Sequence, residues 1–212
     1  MKTDPDTGKI KPERVELRII SGSLKNRKIP CTVHDGFRPT PVMVREALFS
    51  ILGNAVPDRV FFDLFAGSGV HGMEAVSRGA SEALMVEFDA KLVAAIDARL
   101  RQFGILKQAY VVKADVYRWA ERWIPPQEPV NVFVSPPFPD LTSRFDAFLK
   151  LVTVLIEKMP MESVISLQTE DDWDPARLPG ADWDIRKYGR NMLCIWVKLP
   201  APTPEEKPAA GA

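Results

Sequence analysis

The chain has 212 residues, enough for one large α/β domain and a small additional segment. Hydrophobic residues make up 46% and charged residues 26% of it, as in ordinary globular proteins, and no apolar run approaches the length of a membrane helix. The 28 basic and 28 acidic side chains cancel, so the overall charge points to no nucleic-acid partner. These features exclude a membrane-spanning or fully disordered protein and predict a soluble globular one.

Cysteine and histidine usage argues against a metal site. Cys31 and Cys194 lie far apart and form no CxxC pair, and the two histidines are His34 and His71. We therefore expect no metal, and free thiols in a reducing compartment, the cytoplasm. The N-terminus lacks the apolar segment of a secretory signal.

The first quarter of the chain is predicted to form a small extension, a β-hairpin followed by a helix. Val15–Ile20 has a strand pattern, and Ser21–Ser23 begins a turn region. Thr40 followed by Pro41 predicts the start of the helix, because threonine can cap a helix and proline suits its first position. Gly53 ends that helix.

This extension is locally basic although the whole chain is neutral. From Arg18 to Arg45, Asp35 is the one acid among six cations: Arg18, Lys25, Arg27, Lys28, Arg38 and Arg45. Such a segment suits contact with phosphates, so we predict that these six side chains bind RNA. On charge alone, a solvated hairpin is an equally good interpretation. Arg38 and Arg45 could instead connect the extension to the main domain.

Strand and helix patterns then alternate along the chain. The predicted strands are Val60–Phe65, Ala83–Glu87, Tyr110–Lys113, Val130–Val134 and Ser163–Leu167, and the predicted helices are Val70–Arg78, Ala90–Phe103, Val116–Trp123 and Phe145–Lys158. Apolar strands separated by helices predict a parallel sheet covered on both faces, with ligands at the carboxyl ends of the strands. The predicted layout is a disordered tail at 1–13, the RNA-contacting extension at 14–54, a catalytic domain at 55–200 and a disordered tail at 201–212.

A glycine-rich motif follows the first strand of the catalytic domain and begins the next helix. Within Asp63–Gly72, the residues Gly67, Gly69 and Gly72 have GxGxxG spacing, and Glu87 lies 20 residues after Gly67. The pattern predicts an adenosine-type cofactor whose ribose hydroxyls bind Glu87. Alone, it would also suit a dinucleotide site or a turn that serves packing.

A second motif, Ser135-Pro136-Pro137-Phe138, follows the buried strand Val130–Val134. The two prolines fix the backbone and remove two amide donors, which leaves acceptors at the edge of the sheet. A hydroxyl acceptor, a rigid carbonyl and an aromatic ring suit a base that carries an amino group. A proline-rich loop without a ligand is the alternative, and the glycine motif placed before it argues against that.

The two motifs resemble motifs I and IV of class I methyltransferases that act on amino groups of bases. More narrowly, the chain resembles the RsmD family, which methylates guanine N2 in 16S ribosomal RNA. The resemblance covers about Arg18 to Val197. The segments that carry it, besides Asp63–Gly69, are Arg18–Gly22, Arg38–Thr40, Val44–Glu46, Glu74–Ala75, Ser77–Ala80 and, loosely, Lys187–Gly189.

The resemblance implies an α/β, Rossmann-like class I methyltransferase fold with a mostly parallel central sheet. It also implies S-adenosylmethionine as the cofactor, bound by Asp63, Phe65, Ala66, Gly67, Gly69, Glu87, Phe88 and Asp115. Asp63 would face the methionine amino group, Phe88 would pack on adenine and Asp115 would accept from its amino group. Asp115 could instead only cap a helix, and Phe88 could belong to the core. Ser135 to Phe138 would hold the target base.

Two residues depart from the family pattern. Ser135 stands where the family usually has aspartate, and His71 stands at a usually apolar position that we interpret as helix surface. The expected partner is ribosomal RNA or a small-subunit assembly intermediate, bound by a monomer. The alternatives are an NAD-dependent oxidoreductase, a DNA or protein methyltransferase, and a non-catalytic RNA-binding relative weakened by Ser135.

Overall fold

The computed structural model describes residues 12–33 and 38–200. The predicted tails lie outside this part of the chain, except that β1 begins at Glu13, inside the predicted first tail. Asp35 and His34 also lie outside it. No helix among the described residues is long and apolar enough to cross a membrane.

The N-terminal extension is an antiparallel hairpin followed by a helix, as predicted. Strand β1 (Glu13–Arg18) pairs with β2 (Lys28–Val33), and helix α1 (Val42–Leu52) follows. The predicted threonine cap is wrong. Pro41 precedes the helix without a side-chain cap, and the Thr40 hydroxyl instead donates to Gln168 Oε1 at 2.7 Å. Both of these side chains are buried, so each meets the other's need for a hydrogen-bond partner.

The main domain alternates strands and helices. Its strands are β3 (Val60–Leu64), β4 (Glu82–Glu87), β5 (Ala109–Lys113), β6 (Val130–Val134), β7 (Val164–Glu170), β8 (Asp184–Tyr188) and β9 (Asn191–Val197). Its helices are α2 (Val70–Ser77), α3 (Ala90–Phe103), α4 (Val116–Arg122), α5 (Asp140–Ser143) and α6 (Phe145–Lys158), and single 3-10 turns lie at Gly53–Ala55 and Pro175–Arg177.

The seven strands form one sheet in the order β5-β4-β3-β6-β7-β9-β8. The first five strands in that order are parallel, and β9 runs antiparallel to both β7 and β8. This confirms the α/β class and the mostly parallel sheet. The sequence patterns did not predict the β8-β9 hairpin.

Apolar side chains cover both faces of the sheet. Successive residues of a strand point to opposite faces, so Phe61 of β3 packs with α1, α2 and α3, whereas Phe62 packs with α4 and α6. Phe133 lies on the first of these faces and Val134 on the second. The first face also receives apolar side chains of the hairpin, such as Ile29.

The hairpin is joined to α2 by buried polar contacts. The Glu74 carboxylate accepts hydrogen bonds from the backbone N–H groups of Ile20 at 2.7 Å and Ser21 at 3.0 Å. The Ser77 hydroxyl accepts from the N–H of Leu24 at 2.9 Å. Segments that carry the family resemblance, Arg18–Gly22 on the hairpin and Glu74–Ala75 and Ser77–Ala80 at α2, therefore meet in one contact.

Candidate functional site

A cleft of about 1050 Å³ lies at the carboxyl ends of the parallel strands, where the topology predicts ligands. It brings together most of the predicted cofactor and base-binding residues, namely Phe65, Ala66, Gly67, Glu87, Phe88, Asp115, Ser135, Pro136, Pro137 and Phe138. Arg38, from the extension, also lines it. Asp63 and Gly69 are not part of its lining.

The glycine-rich segment forms a tight turn between β3 and α2. Phe65 and Gly67 both have positive φ, 64° and 55°, so the chain reverses directly after the strand. Gly69 precedes α2 with φ 71°, and a Cβ there would lie 3.0 Å from Ile96 Cγ1 and Met85 Sδ. Gly69 therefore allows close packing of the helix on the core, whereas Gly67 faces the cleft.

Glu87 holds this turn to the end of β4. Its Oε2 accepts from the N–H of Gly67 at 2.7 Å, and its Oε1 accepts from the N–H groups of Phe88 and Asp89, both at 2.8 Å. A carboxylate oxygen can accept two hydrogen bonds, so Oε2 keeps capacity for a hydroxyl in the cleft. Glu87 thus fixes the turn and can also bind a ribose.

Asp63 lies beneath the turn and is buried. Its Oδ2 accepts from the N–H of Gly72 at 3.1 Å, while Oδ1 has no partner among the described residues. Burial raises the pKa of Asp63 to about 8, against the lowering effect of the Gly72 hydrogen bond and with a smaller contribution from the charge of Glu87. A carboxyl group placed in this way would gain from a cationic partner.

Phe88 and Asp115 follow β4 and β5 and line the same cleft as Ser135. The Phe88 ring is 70% exposed, which excludes the core interpretation of this residue. Asp115 does cap a helix, because its Oδ1 accepts from the N–H of Arg118 at 3.2 Å at the start of α4. Its Oδ2 meets Arg144 Nη2 at 3.4 Å.

The Ser-Pro-Pro-Phe segment continues the line of β6. The N–H of Ser135 donates to Leu64 O at 3.3 Å, so pairing with β3 extends to the serine. The carbonyls of Pro137 and Phe138 accept from the backbone of α5. The Pro136 carbonyl accepts from no other described residue and is the candidate rigid acceptor beside the Ser135 hydroxyl.

His71 is not on the helix surface, so that expectation is wrong. It is 5% exposed and lines the cleft, and its ring lies 4.2 Å from that of Phe133. Burial, and then the charge of Arg45, hold the pKa of His71 well below 6.5. A helical pattern over eight residues that are all buried has no polar face, so periodicity could not place this side chain.

A group of side chains that the sequence patterns did not single out forms one wall of the cleft. The Tyr117 hydroxyl donates to Asp140 Oδ2 at 2.8 Å, and its ring packs edge-on against Phe65 at 5.4 Å. Burial and the hydrogen bond to Asp140 raise the pKa of Tyr117. The guanidinium of Arg144 lies 4.1 Å above that ring. This wall fixes the loop after β6 against the glycine turn.

The predicted RNA-binding residues divide into two groups. Arg18, Lys25, Arg27, Lys28 and Arg38 are exposed. Arg45 is fully buried, so its assignment to RNA is wrong. Its Nη2 donates to Arg18 O at 2.9 Å, and burial lowers its pKa against the opposing charges of Glu74 and Glu46. Arg45 therefore connects α1 to the hairpin within the extension, which is a structural role.

Two of the exposed cations, Arg18 and Lys28, have an acidic side chain beside them. Glu16, two residues before the segment counted above, lies 3.1 Å from both Arg18 Nη2 and Lys28 Nζ. These are exposed pairs, so each holds its cation only weakly. Lys25 and Arg27 form no ion pair with another described residue and are the more available to phosphates.

Comparison with known proteins gives the family. A family model described as conserved hypothetical protein 95 matches residues 17–197. The YlbH protein of Bacillus subtilis strain 168 is 31% identical over 188 residues, which are 86% of this chain and 99% of YlbH. Ribosomal RNA small subunit methyltransferase D of Escherichia coli strain K12 is 37% identical over 125 residues, 58% of this chain and 61% of that protein. The chain belongs to the RsmD family.

Solved structures agree with this assignment. The YhhF protein of Escherichia coli superposes with a TM-score of 0.71 at 27% identity, over 88% of this chain and all of that one. An RNA methyltransferase from Salinibacter ruber, in complex with S-adenosyl-L-homocysteine, has a TM-score of 0.53 at 15% identity, over 79% of this chain and 97% of that one, and shows the shared fold. The Rossmann-like class I fold is thereby confirmed, and RsmD-family membership favours a methyltransferase over an oxidoreductase.

The cleft fits S-adenosylmethionine, the cofactor of this enzyme class. The spare capacity of Glu87, the exposed ring of Phe88 and the unpartnered Oδ1 of Asp63 correspond to a ribose, an adenine and a cationic amino group. Among the described residues no group of three His, Cys, Asp or Glu side chains is arranged as metal ligands. The cleft thus offers the ribose and the adenine side chains of suitable chemistry, and the buried Asp63, outside its lining, suits the amino group.

Proposed function

We propose that this protein transfers a methyl group from S-adenosylmethionine to guanine N2 of 16S ribosomal RNA. The observation that carries the proposal is the meeting of the glycine turn, held by Glu87, with the Ser135–Phe138 segment in one cleft. One motif holds a methyl donor and the other holds an amino group, and methyl transfer requires both within a few ångström of each other.

The cofactor side of the cleft binds and orients S-adenosylmethionine. Glu87 accepts from a ribose hydroxyl through Oε2, Phe88 packs on the adenine and Asp63 Oδ1 faces the amino group of the methionine. Asp115 accepts from the adenine amino group once its contact with Arg144 loosens. When bound, S-adenosylmethionine supplies an electrophilic methyl group on its sulfonium.

The base side of the cleft positions the nucleophile. The Ser135 hydroxyl and the Pro136 carbonyl accept hydrogen bonds from the amino group, and Phe138 stacks on the base. The amino nitrogen gains positive charge during transfer, so these acceptors act mainly in the transition state. A base in folded RNA reaches this depth only when it is extruded from its stack.

The extension is the proposed RNA contact. Lys25 and Arg27 would bind phosphates, with Arg18, Lys28 and Arg38 beside them, whereas Arg45 joins the hairpin to α1. Arg38 lines the cleft itself, so it would contact RNA next to the extruded base. We further propose that the protein acts as a monomer in the cytoplasm, on ribosomal RNA or on a small-subunit assembly intermediate.

The test is transfer of labelled methyl from S-adenosylmethionine to ribosomal RNA from a strain that lacks this protein. We expect labelled 16S RNA, with the label on guanine N2 after digestion to nucleosides, and no label on RNA from the complemented strain. Glu87→Ala should weaken cofactor binding by ~1–3 kcal/mol, the cost of a lost buried hydrogen-bond partner. Label on DNA or protein but not on RNA would contradict the proposal, as would binding of NAD in place of S-adenosylmethionine.

A further inference from the structure

His71 carries a buried nitrogen for which the fold provides no partner. The residue is the second of α2, it is 5% exposed, and it lines the same cleft as Ser135. Its Nε2 makes no hydrogen bond to another described residue. Buried polar atoms in folded proteins nearly always have a partner, so an exception in the lining of a cleft suits a partner that arrives during function.

Strand β6 places Ser135 on the face of the sheet against which His71 packs. Phe133 and Ser135 are alternate residues along one extended line, since Ser135 still pairs with Leu64 O. Alternate residues project from the same face of a sheet. The His71 ring packs on Phe133 at 4.2 Å, so it lies on the face and at the edge from which the Ser135 side chain projects.

An imidazole nitrogen can accept the hydrogen of the Ser135 hydroxyl. When its oxygen accepts a hydrogen bond from a substrate amino group, its own hydrogen must point elsewhere, and a partner for that hydrogen strengthens the oxygen as an acceptor. A neutral imidazole provides one acceptor nitrogen. Burial and Arg45 hold the pKa of His71 well below 6.5, so the ring is neutral at pH 7.

We propose that His71 is a positioning residue that acts through Ser135. Its Nε2 accepts the Ser135 hydroxyl hydrogen when the amino group of the base engages the serine oxygen. This inference rests on the proposed function and deepens it. The histidine would make the neutral serine a better acceptor during methyl transfer. Rotation of the Ser135 side chain between its staggered rotamers would form the hydrogen bond to His71 Nε2.

A double-mutant cycle tests the pairing. The four proteins are the wild type, His71→Leu, Ser135→Ala and the double variant, compared by single-turnover methyl transfer to ribosomal RNA at saturating cofactor. We expect His71→Leu to slow transfer about fivefold to tenfold when Ser135 is present, in line with one lost hydrogen bond. In the Ser135→Ala background it should change the rate less than about twofold, because the hydroxyl that His71 serves is gone. Equal slowing in both backgrounds overturns the proposal.

A second pair of variants separates positioning from packing. His71→Gln keeps an acceptor oxygen and should retain most of the wild-type rate, whereas His71→Met has an apolar chain of similar length and should be as slow as His71→Leu. If His71→Leu does not fold, His71→Met replaces it in the cycle. Slow transfer by His71→Gln with unchanged thermal unfolding also overturns the proposal. If the wild type transfers no methyl group, the proposed function itself is contradicted. If the wild type is active but His71→Leu slows transfer equally with and without the Ser135 hydroxyl, only the role of His71 is contradicted.

Discussion

Position 135 determines the strength of the acceptor offered to the base. A serine hydroxyl is neutral, whereas an aspartate accepts with charge, and charged hydrogen bonds are roughly twice as strong. If the charge lowers the barrier by ~1.5–3 kcal/mol, Ser135→Asp should raise the rate about tenfold to a hundredfold. We expect Ser135→Asp to be at least as fast as the wild type, and Ser135→Ala to be slower. Phe138→Ala should lose stacking worth ~1–3 kcal/mol.

Single-turnover methyl transfer by the four proteins, after a check of folding, measures these differences. A burial cost opposes the gain, because a carboxylate without its hydrogen bonds is unfavourable in a closed site. If Ser135→Asp is inactive while Ser135→Ala is fully active, the acceptor role that we assign to Ser135 is contradicted.

The buried carboxyl of Asp63 should make stability depend on pH. Its folded pKa of about 8 lies above the unfolded value near 3.8, so the native state holds a proton that the unfolded chain releases between these limits. The free energy of unfolding therefore falls as the pH rises from about 4 to 8. Each pH unit of that interval contributes about 1.4 kcal/mol, and Asp63→Asn should remove a fall of up to a few kcal/mol.

Urea unfolding at pH 5 and pH 8 measures this difference. Asp97→Asn is the matched control, because Asp97 is an exposed acid on α3 that pairs with Arg101. The control should retain the pH dependence of the wild type. Parallel pH profiles for the wild type and Asp63→Asn would mean that Asp63 is ionised in the folded protein.

The sequence predicted the position of some site residues and not of others. Glu87, Phe88 and Ser135 were predicted to meet because Glu87 ends a strand, Phe88 and Ser135 each follow one, and parallel strands end at one edge of the sheet. Arg45 and His71 were misplaced because residue type and local charge carry no information on burial. The structure buries both residues between α1, α2 and the sheet, and Arg45 Nε, Arg45 Nη1 and His71 Nε2 have no hydrogen-bond partner in the part of the chain that the structure describes.

The contact between the hairpin and α2 is closest at Gly22. A Cβ at this residue would lie 1.6 Å from Ser77 O, and its φ is 84°. Gly22→Ala should destabilise the protein by roughly 1–3 kcal/mol or more, because the hairpin must move away from α2. Gly104→Ala is the matched control, since it has φ 72° and nothing within 4 Å of the added methyl group, and it should cost about 1 kcal/mol.

Urea midpoints of the two variants give the comparison. Similar costs at both positions would show that backbone strain alone matters at Gly22, and that the hairpin is not held closely against α2.

At the level of elements, the parallel part of the sheet was predictable and the antiparallel edge was not. Strands β3 to β7 follow one another through helices, and each helix marks the strands on either side of it. Strands β8 and β9 are joined by a short turn at Gly189, without a helix between them. Strand β8 is largely exposed at the edge of the sheet, so its sequence lacks the apolar run of a central strand.

Across the whole molecule, RNA binding should depend on the hairpin in a salt-dependent way. Arg27 forms no ion pair with another described residue, and Lys28 lies 3.1 Å from Glu16. Arg27→Ala should lower the slope of log affinity against log salt by about 0.7–0.9, one released counterion, and Lys28→Ala by less. Lys150→Ala on α6 removes a cation that pairs with Glu121 and is the matched control.

Filter binding of ribosomal RNA at several salt concentrations measures the three slopes. An unchanged slope for Arg27→Ala, or an equal loss for Lys150→Ala, would place the RNA contact away from the hairpin.

Helix α2 also determines the distance between the cleft and the hairpin. Its first turn lines the cleft and its last turn holds the hairpin, and eight helical residues span about 12 Å. Successive phosphates along a strand are at least about 3.4 Å apart, so a length of 12 Å corresponds to a few nucleotides. The phosphates under the hairpin should therefore lie within about that distance of the methylated base. A short stem and loop is long enough to span both surfaces.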